Sequence, residues 1–158
     1  MQIYILLTNN CNLSCSHCIR NDKSNNTLSD KEIESLFSNI EFTNNHIILT
    51  GGEPSLHPKF TYILNEMSKR AKKITVCTNG INNYYFEKIK NSNIHIQFSV
   101  DGSREYHNKI RGLNSFDKIL ENIKKQPEKW LLFVFLIKML WRIFIIFTSV
   151  VEKHPNSH

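Results

Sequence analysis

The chain has 158 residues, enough for one domain with a real core, and 41% of them are hydrophobic. Its formal charge is +6, but Lys and Arg are spread along it; the densest groups, Lys69-Arg70-Lys72-Lys73 and Lys124-Lys125-Lys129, read as solvated helix ends rather than a nucleic-acid-binding stripe. Met1 leads into a strand-like run with no basic n-region and no cleavage site, so no secretory signal is expected; the reducing cytoplasm is the expected compartment, with free thiols.

Residues 2–7 read as a buried strand, short, apolar and β-rich. Residues 8–24 form a polar, Asn-rich loop that carries Cys11, Cys15 and Cys18. Leu28-Ser29-Asp30 then offers capping residues for a helix with Ile33, Leu36, Phe37 and Ile40 on one face. Residues 47–49 read as a second strand, ending in Thr50-Gly51-Gly52-Glu53-Pro54, and a helix from about 58 to 70 follows with Phe60, Ile63, Leu64 and Met67. A third strand at 74–77 stops at Thr78-Asn79-Gly80, and a short helix is expected at 84–89. A fourth strand at 94–100 stops at Asp101-Gly102, before a helix from about 115 to 124 with Phe116, Ile119, Leu120 and Ile123.

This alternation predicts an α/β fold of right-handed βαβ units with a parallel sheet and external helices. In such folds the working loops lie at the carboxyl ends of the strands, and all four unusual segments fall there.

The expected core occupies residues 1–126, and the character changes over 127–158. Residues 130–151 are almost wholly apolar and aromatic, interrupted by Lys138 and Arg142. About fifteen Leu, Ile, Phe and Val residues favour bilayer insertion by about −5 to −9 kcal/mol, and the two basic residues oppose it by about +5 to +7. That balance leaves three readings open: a membrane anchor through 130–151, a fifth strand and helix of the same sheet near 131–137, and an aberrant tail on a shortened chain.

Cys11, Cys15 and Cys18 are spaced C-x-x-x-C-x-x-C. Three thiols cannot all pair as disulfides, but they can hold three corners of a [4Fe–4S] cube, leaving one iron free for a reacting ligand. A zinc site of Cys11, Cys15, His17 and Cys18 is the alternative; adjacent ligands such as His17 and Cys18 rarely close a tetrahedron without strain. Cys77 reads as a buried core cysteine, with closure of the fourth iron as its rival role. Closure would leave an electron carrier.

With Gly51-Gly52-Glu53-Pro54 downstream, the triad resembles the radical S-adenosylmethionine (SAM) superfamily, whose signature is C-x-x-x-C-x-Φ-C with an aromatic residue usual at Φ; here His17 stands there. Ser99-Val100-Asp101-Gly102 with His107 and Arg111 resembles the branch that modifies peptides and proteins, although Asn108 replaces the Asp often found beside that His. The resemblance covers about residues 1–125 and implies a partial parallel (β/α) barrel of about four to five βα units, short of the family's last strands.

The resemblance also implies the chemistry. Three thiolates bind the cluster, SAM chelates the fourth iron, and reductive cleavage yields a 5′-deoxyadenosyl radical that takes hydrogen from a substrate. An electron donor such as flavodoxin or ferredoxin is implied, and a peptide or protein substrate, with no nucleic acid. Gly51 and Gly52 would let backbone approach SAM, and Glu53 is expected to bind SAM with them. Ser99 and Asp101 are candidates for ribose hydroxyls, Arg111 for the methionine carboxylate, and Asn79 for the pocket wall. His107 is a candidate for proton transfer, against a plain polar helix residue. The alternatives to an active enzyme are an inactive truncated remnant that only binds a cluster, and a zinc or electron-transfer module.

Overall fold

The computed structural model describes residues 1–20, 24–82 and 91–124, together with the backbone of 130–134. Strands β1 (Gln2–Leu6), β2 (His46–Thr50), β3 (Lys73–Thr78), β4 (Ile94–Val100) and β5 (Trp130–Val134) alternate with helices α1 (Asp30–Asn39), α2 (Phe60–Ser68), α3 (Arg104–Arg111) and α4 (Ser115–Lys124). The strands form one sheet in the order β1-β2-β3-β4-β5, each pair parallel. Sequence neighbours lying side by side is the strand order of a (β/α) barrel laid open, so the expected α/β parallel architecture is the observed one.

The core lies between the sheet and its helices. Alternate strand residues, Ile5, Ile47, Leu49, Ile74, Val76, Ile94, Ile96 and Phe98, pack into one cluster with Ile33 of α1, Ile63, Leu64 and Met67 of α2, and Ile119 of α4. Each aliphatic side chain taken wholly out of water contributes about 1.5–3 kcal/mol, so this face fixes the register. On the other face Tyr4 is 62% and Leu6 43% exposed, whereas Ile48 and Thr75 of the inner strands are buried. In β4 the two environments alternate residue by residue along the strand.

Local signals explain the boundaries. Ser29 caps α1, its hydroxyl accepting from the Glu32 N–H while the Glu32 carboxylate accepts from the Ser29 N–H at 2.7 Å. The helix expected over 58–70 is shorter, Phe60–Ser68, and follows a separate 3-10 turn at Pro54–Leu56. Helix α3 was missing from the sequence expectation. It carries no aliphatic stripe; its buried residue is His107. Its signals are a Ser103 cap, whose hydroxyl accepts from the Tyr106 N–H, and Gly112 with φ of 115° at its end.

Beyond the expected core of residues 1–126, one further strand is described. Residues 130–134 pair with β4 from Ile96↔Trp130 to Val100↔Val134, a shorter strand than the 131–137 reading. Among the described residues, no helix is long and apolar enough to cross a membrane. The helix expected at 84–89 and the rest of the apolar segment lie outside the described residues.

Candidate active site

The loop after β1 is closed at its base by its own backbone. Thr8 and Thr27 form an isolated antiparallel bridge, their hydroxyls are 2.7 Å apart, and the Asn9 N–H donates to the Asn26 carbonyl at 2.7 Å. Within the loop, the Cys18 N–H donates to the Cys15 carbonyl at 3.1 Å, and the Ser16 N–H donates to the Ile110 carbonyl of α3 at 3.0 Å. The loop is thus tied to α3 as well as to its own neck.

Cys11, Cys15 and Cys18 are free thiols that line one cavity of about 610 Å³, together with Gly51, Gly52, Cys77, Asn79, Ser99 and Arg111. Burial pushes the Cys11 and Cys15 thiols above their ordinary range; for Cys15 the Arg111 guanidinium opposes this. The three thiols share this cavity, and among the described residues no group of three or more His, Cys, Asp or Glu side chains is set to hold a metal ion. That donor set fits a cluster gripped through three thiolates better than a single tetrahedral ion. His17, the fourth ligand of the zinc alternative, has its Nε2 3.8 Å from the Asp101 carboxylate.

At the end of β2 the glycines pack against the cysteine loop. A Cβ on Gly51 would lie 2.4 Å from the Thr8 carbonyl oxygen, and one on Gly52 would lie 2.3 Å from that of Asn10. The Gly52 N–H donates to Thr8 and the Glu53 N–H to Asn10, each at 2.7 Å. Both glycines line the cavity, but the close approach that demands them is to the cysteine loop's own backbone. Glu53 departs from its expected place beside the ligand. It is fully buried, and its carboxylate accepts from the Ser55 hydroxyl at 2.6 Å, the Thr78 hydroxyl at 2.9 Å and the Asn79 N–H at 2.8 Å. Burial raises its carboxyl above the ordinary range, and these bonds pull it back. Glu53 is therefore a bracket joining the ends of β2 and β3.

Asn79 joins that bracket to the loop: its amide donates to Asn12 Oδ1 at 2.7 Å and reaches Cys11 Sγ at 3.7 Å. Ser99 lines the cavity from β4. Asp101, read from sequence as a ribose contact, is fully buried and paired with Arg111, Nε to Oδ2 at 2.5 Å and Nη2 to Oδ1 at 3.3 Å. Burial and this forked pair leave that carboxylate turned to the guanidinium rather than to the cavity. Arg111 is no solvated surface residue: its side chain is 9% exposed and lines the cavity. The pair uses two of its five N–H groups, leaving three for a ligand. Asn108, the departure from the expected Asp, caps α4, its Oδ1 accepting from the Phe116 N–H at 3.0 Å.

Cys77 lies outside the core cluster and half-buried on the cavity wall, where its thiol is pushed up to about 11 by burial and by the Glu53 carboxylate. The two-residue alternation that puts Ile74 and Val76 in the core was the signal for this placement.

The Radical SAM superfamily model matches residues 5–130. The Fe-coproporphyrin III synthase of Methanosarcina barkeri (strain Fusaro / DSM 804) is 28% identical over 131 residues, 78% of this chain and 33% of that protein. The antilisterial bacteriocin subtilosin biosynthesis protein AlbA of Bacillus subtilis (strain 168) is 32% identical over 128 residues, 75% of this chain and 28% of that protein. The chain thus spans about a third of the length of these curated relatives. The solved structure of anSMEcpe with bound AdoMet and Cp18Cys peptide superposes with a TM-score of 0.68 at 21% identity, covering 84% of this chain and 42% of that one. A family model that matches residues 5–130, most of the chain, shows that the chain belongs to the radical SAM superfamily, whose members use a [4Fe–4S] cluster and SAM.

Proposed function

We propose that this chain holds the cluster and SAM of a radical enzyme that takes hydrogen from a peptide or protein. The observation that carries the reading is the convergence of three free thiols, a buried guanidinium and a Ser hydroxyl on one cavity at the carboxyl edge of a parallel sheet. When bound, the cluster supplies the electron that cleaves SAM into methionine and a 5′-deoxyadenosyl radical. Cys11, Cys15 and Cys18 grip three irons. The remaining N–H groups of Arg111 take the methionine carboxylate, and the Ser99 hydroxyl takes a ribose hydroxyl. The Gly51-Gly52 backbone and Asn79 complete the wall, and the Glu53 bracket keeps that wall dry and in register. An acidic flavodoxin- or ferredoxin-type donor in the cytoplasm supplies the electron. The peptide class is supported by the bacteriocin relative and the peptide in the solved neighbour; the porphyrin-named relative supports a small-molecule substrate instead.

The test is anaerobic reconstitution of the chain with iron and sulfide, followed by reduction with SAM present. The expected result is iron and sulfide in equal amounts, a change in the electron paramagnetic resonance spectrum on adding SAM, and formation of 5′-deoxyadenosine. Replacing any one of Cys11, Cys15 or Cys18 by Ala abolishes all three. Zinc without sulfide, or a cluster indifferent to SAM, overturns the reading.

A further inference from the structure

Helix α3 is mostly polar, and the residue it buries completely is a histidine rather than its Ile110. His107 Nδ1 accepts the backbone N–H of Asp101 at 3.1 Å, its ring meets Phe116 edge-on at 5.6 Å, and its Nε2 has no hydrogen-bond partner. Burial holds the ring below the ordinary histidine range, with Arg111 and His17 acting the same way and Asp101 opposing, so the ring is neutral with Nδ1 free to accept. An aliphatic side chain would fill this position without an unpartnered Nε2, but it would leave the buried Asp101 N–H without its acceptor. What imidazole adds is the acceptor for Asp101, and the Asp101 carboxylate in turn takes both Nε and Nη2 of Arg111. The same carboxylate faces His17 of the cysteine loop, and α3 receives the Ser16 N–H.

We propose that His107 is a positioning residue for SAM: it fixes the Asp101 backbone, Asp101 fixes the Arg111 fork, and the guanidinium is thereby aimed into the cavity. His107 does not touch SAM and transfers no proton. The inference deepens the proposed function and rests on its assignment of Arg111 to the SAM carboxylate.

Two variants test it on the anaerobically reconstituted chain, with SAM affinity read by calorimetry and folding by thermal melting. His107→Leu keeps the volume and loses the acceptor; His107→Asn keeps an acceptor oxygen near the Nδ1 position. The expected result is SAM binding weakened about tenfold or more in His107→Leu, about 1.4 kcal/mol, and restored to within about threefold of the unmodified chain in His107→Asn. Wild-type affinity in a folded His107→Leu, or equal losses in both variants, overturns the inference. Nitrogen-15 resonances of the imidazole in the metal-free chain give a second measure that holds even where the Leu variant does not fold. The expected tautomer carries its proton on Nε2, and a proton on Nδ1 overturns the inference. Should the unmodified chain bind no SAM while showing the Nε2 tautomer, the reading of the cavity fails and the hydrogen bond stands, without its role toward SAM.

Discussion

The cysteine loop and the floor beneath it differ in how they are held. Cys11, Cys18 and Ile19 stand exposed, and the loop is fastened at its Thr8–Thr27 neck, at Gly51-Gly52 and at Ile110. The floor, made by Glu53, Thr78, Asn79, Asp101 and His107, is buried and bonded to itself. The thiols stand on a partly exposed loop that a bound cluster would tie together through its own bonds, whereas the floor has its geometry already. The protein thus puts its packing into the floor, and in the proposed function closure of the thiols is left to the cluster's bonds.

The sharpest way to break this contrast is Gly52→Ala. Its Cβ has backbone atoms of Asn9 and Asn10 as near neighbours, so no rotamer change relieves it. We expect a loss of about 3 kcal/mol, a melting temperature lower by roughly 6–12 °C, and failure to retain iron. An unchanged melting curve would show that the loop is not pinned at this junction.

Glu53→Gln probes the floor alone. The new amide cannot accept everywhere the carboxylate did, and a buried donor such as the Asn79 N–H loses its partner. The expected cost is about 2 kcal/mol in denaturant unfolding, with the thiols still exposed to labelling. Early loss of iron with unchanged unfolding would place Glu53 with the loop instead.

Thiol labelling compares the two regions directly and carries the smallest effect. With its thiol pushed up to about 11, Cys77 carries little thiolate at pH 8. The greater nucleophilicity of a basic thiolate offsets part of that, so alkylation on the order of tenfold slower than an ordinary exposed thiol is expected. Its rate should keep rising with pH until about 11. Because the folded value lies above the unfolded one, the thiol's contribution to stability is complete below the ordinary thiol range and is lost as pH climbs toward about 11. Mass spectrometry of the metal-free chain after timed alkylation checks this; equal labelling of Cys77 and Cys18 would contradict the placement.

The cysteine spacing and the four strand ends were legible because each is local: turn residues follow apolar runs, and a three-thiol cluster is its own signature. Helix α3 was not, since its buried face is an imidazole that no hydrophobic period reveals. Glu53 and Asp101 were read toward the ligand because a carboxylate beside glycine looks the same in sequence whether it faces a cavity or a neighbouring strand.

The sequence by itself determined the parallel α/β pattern, the side of the sheet that works and the three sulfur donors, because hydrophobic period and residue spacing act within one segment. Only the tertiary structure decided that the Glu53 and Asp101 carboxylates meet protein donors, that Cys77 lines the cavity and that His107 meets the Asp101 backbone. Those outcomes depend on donors and acceptors 6 to 26 residues apart meeting out of water, where each buried polar group must find a partner across strands.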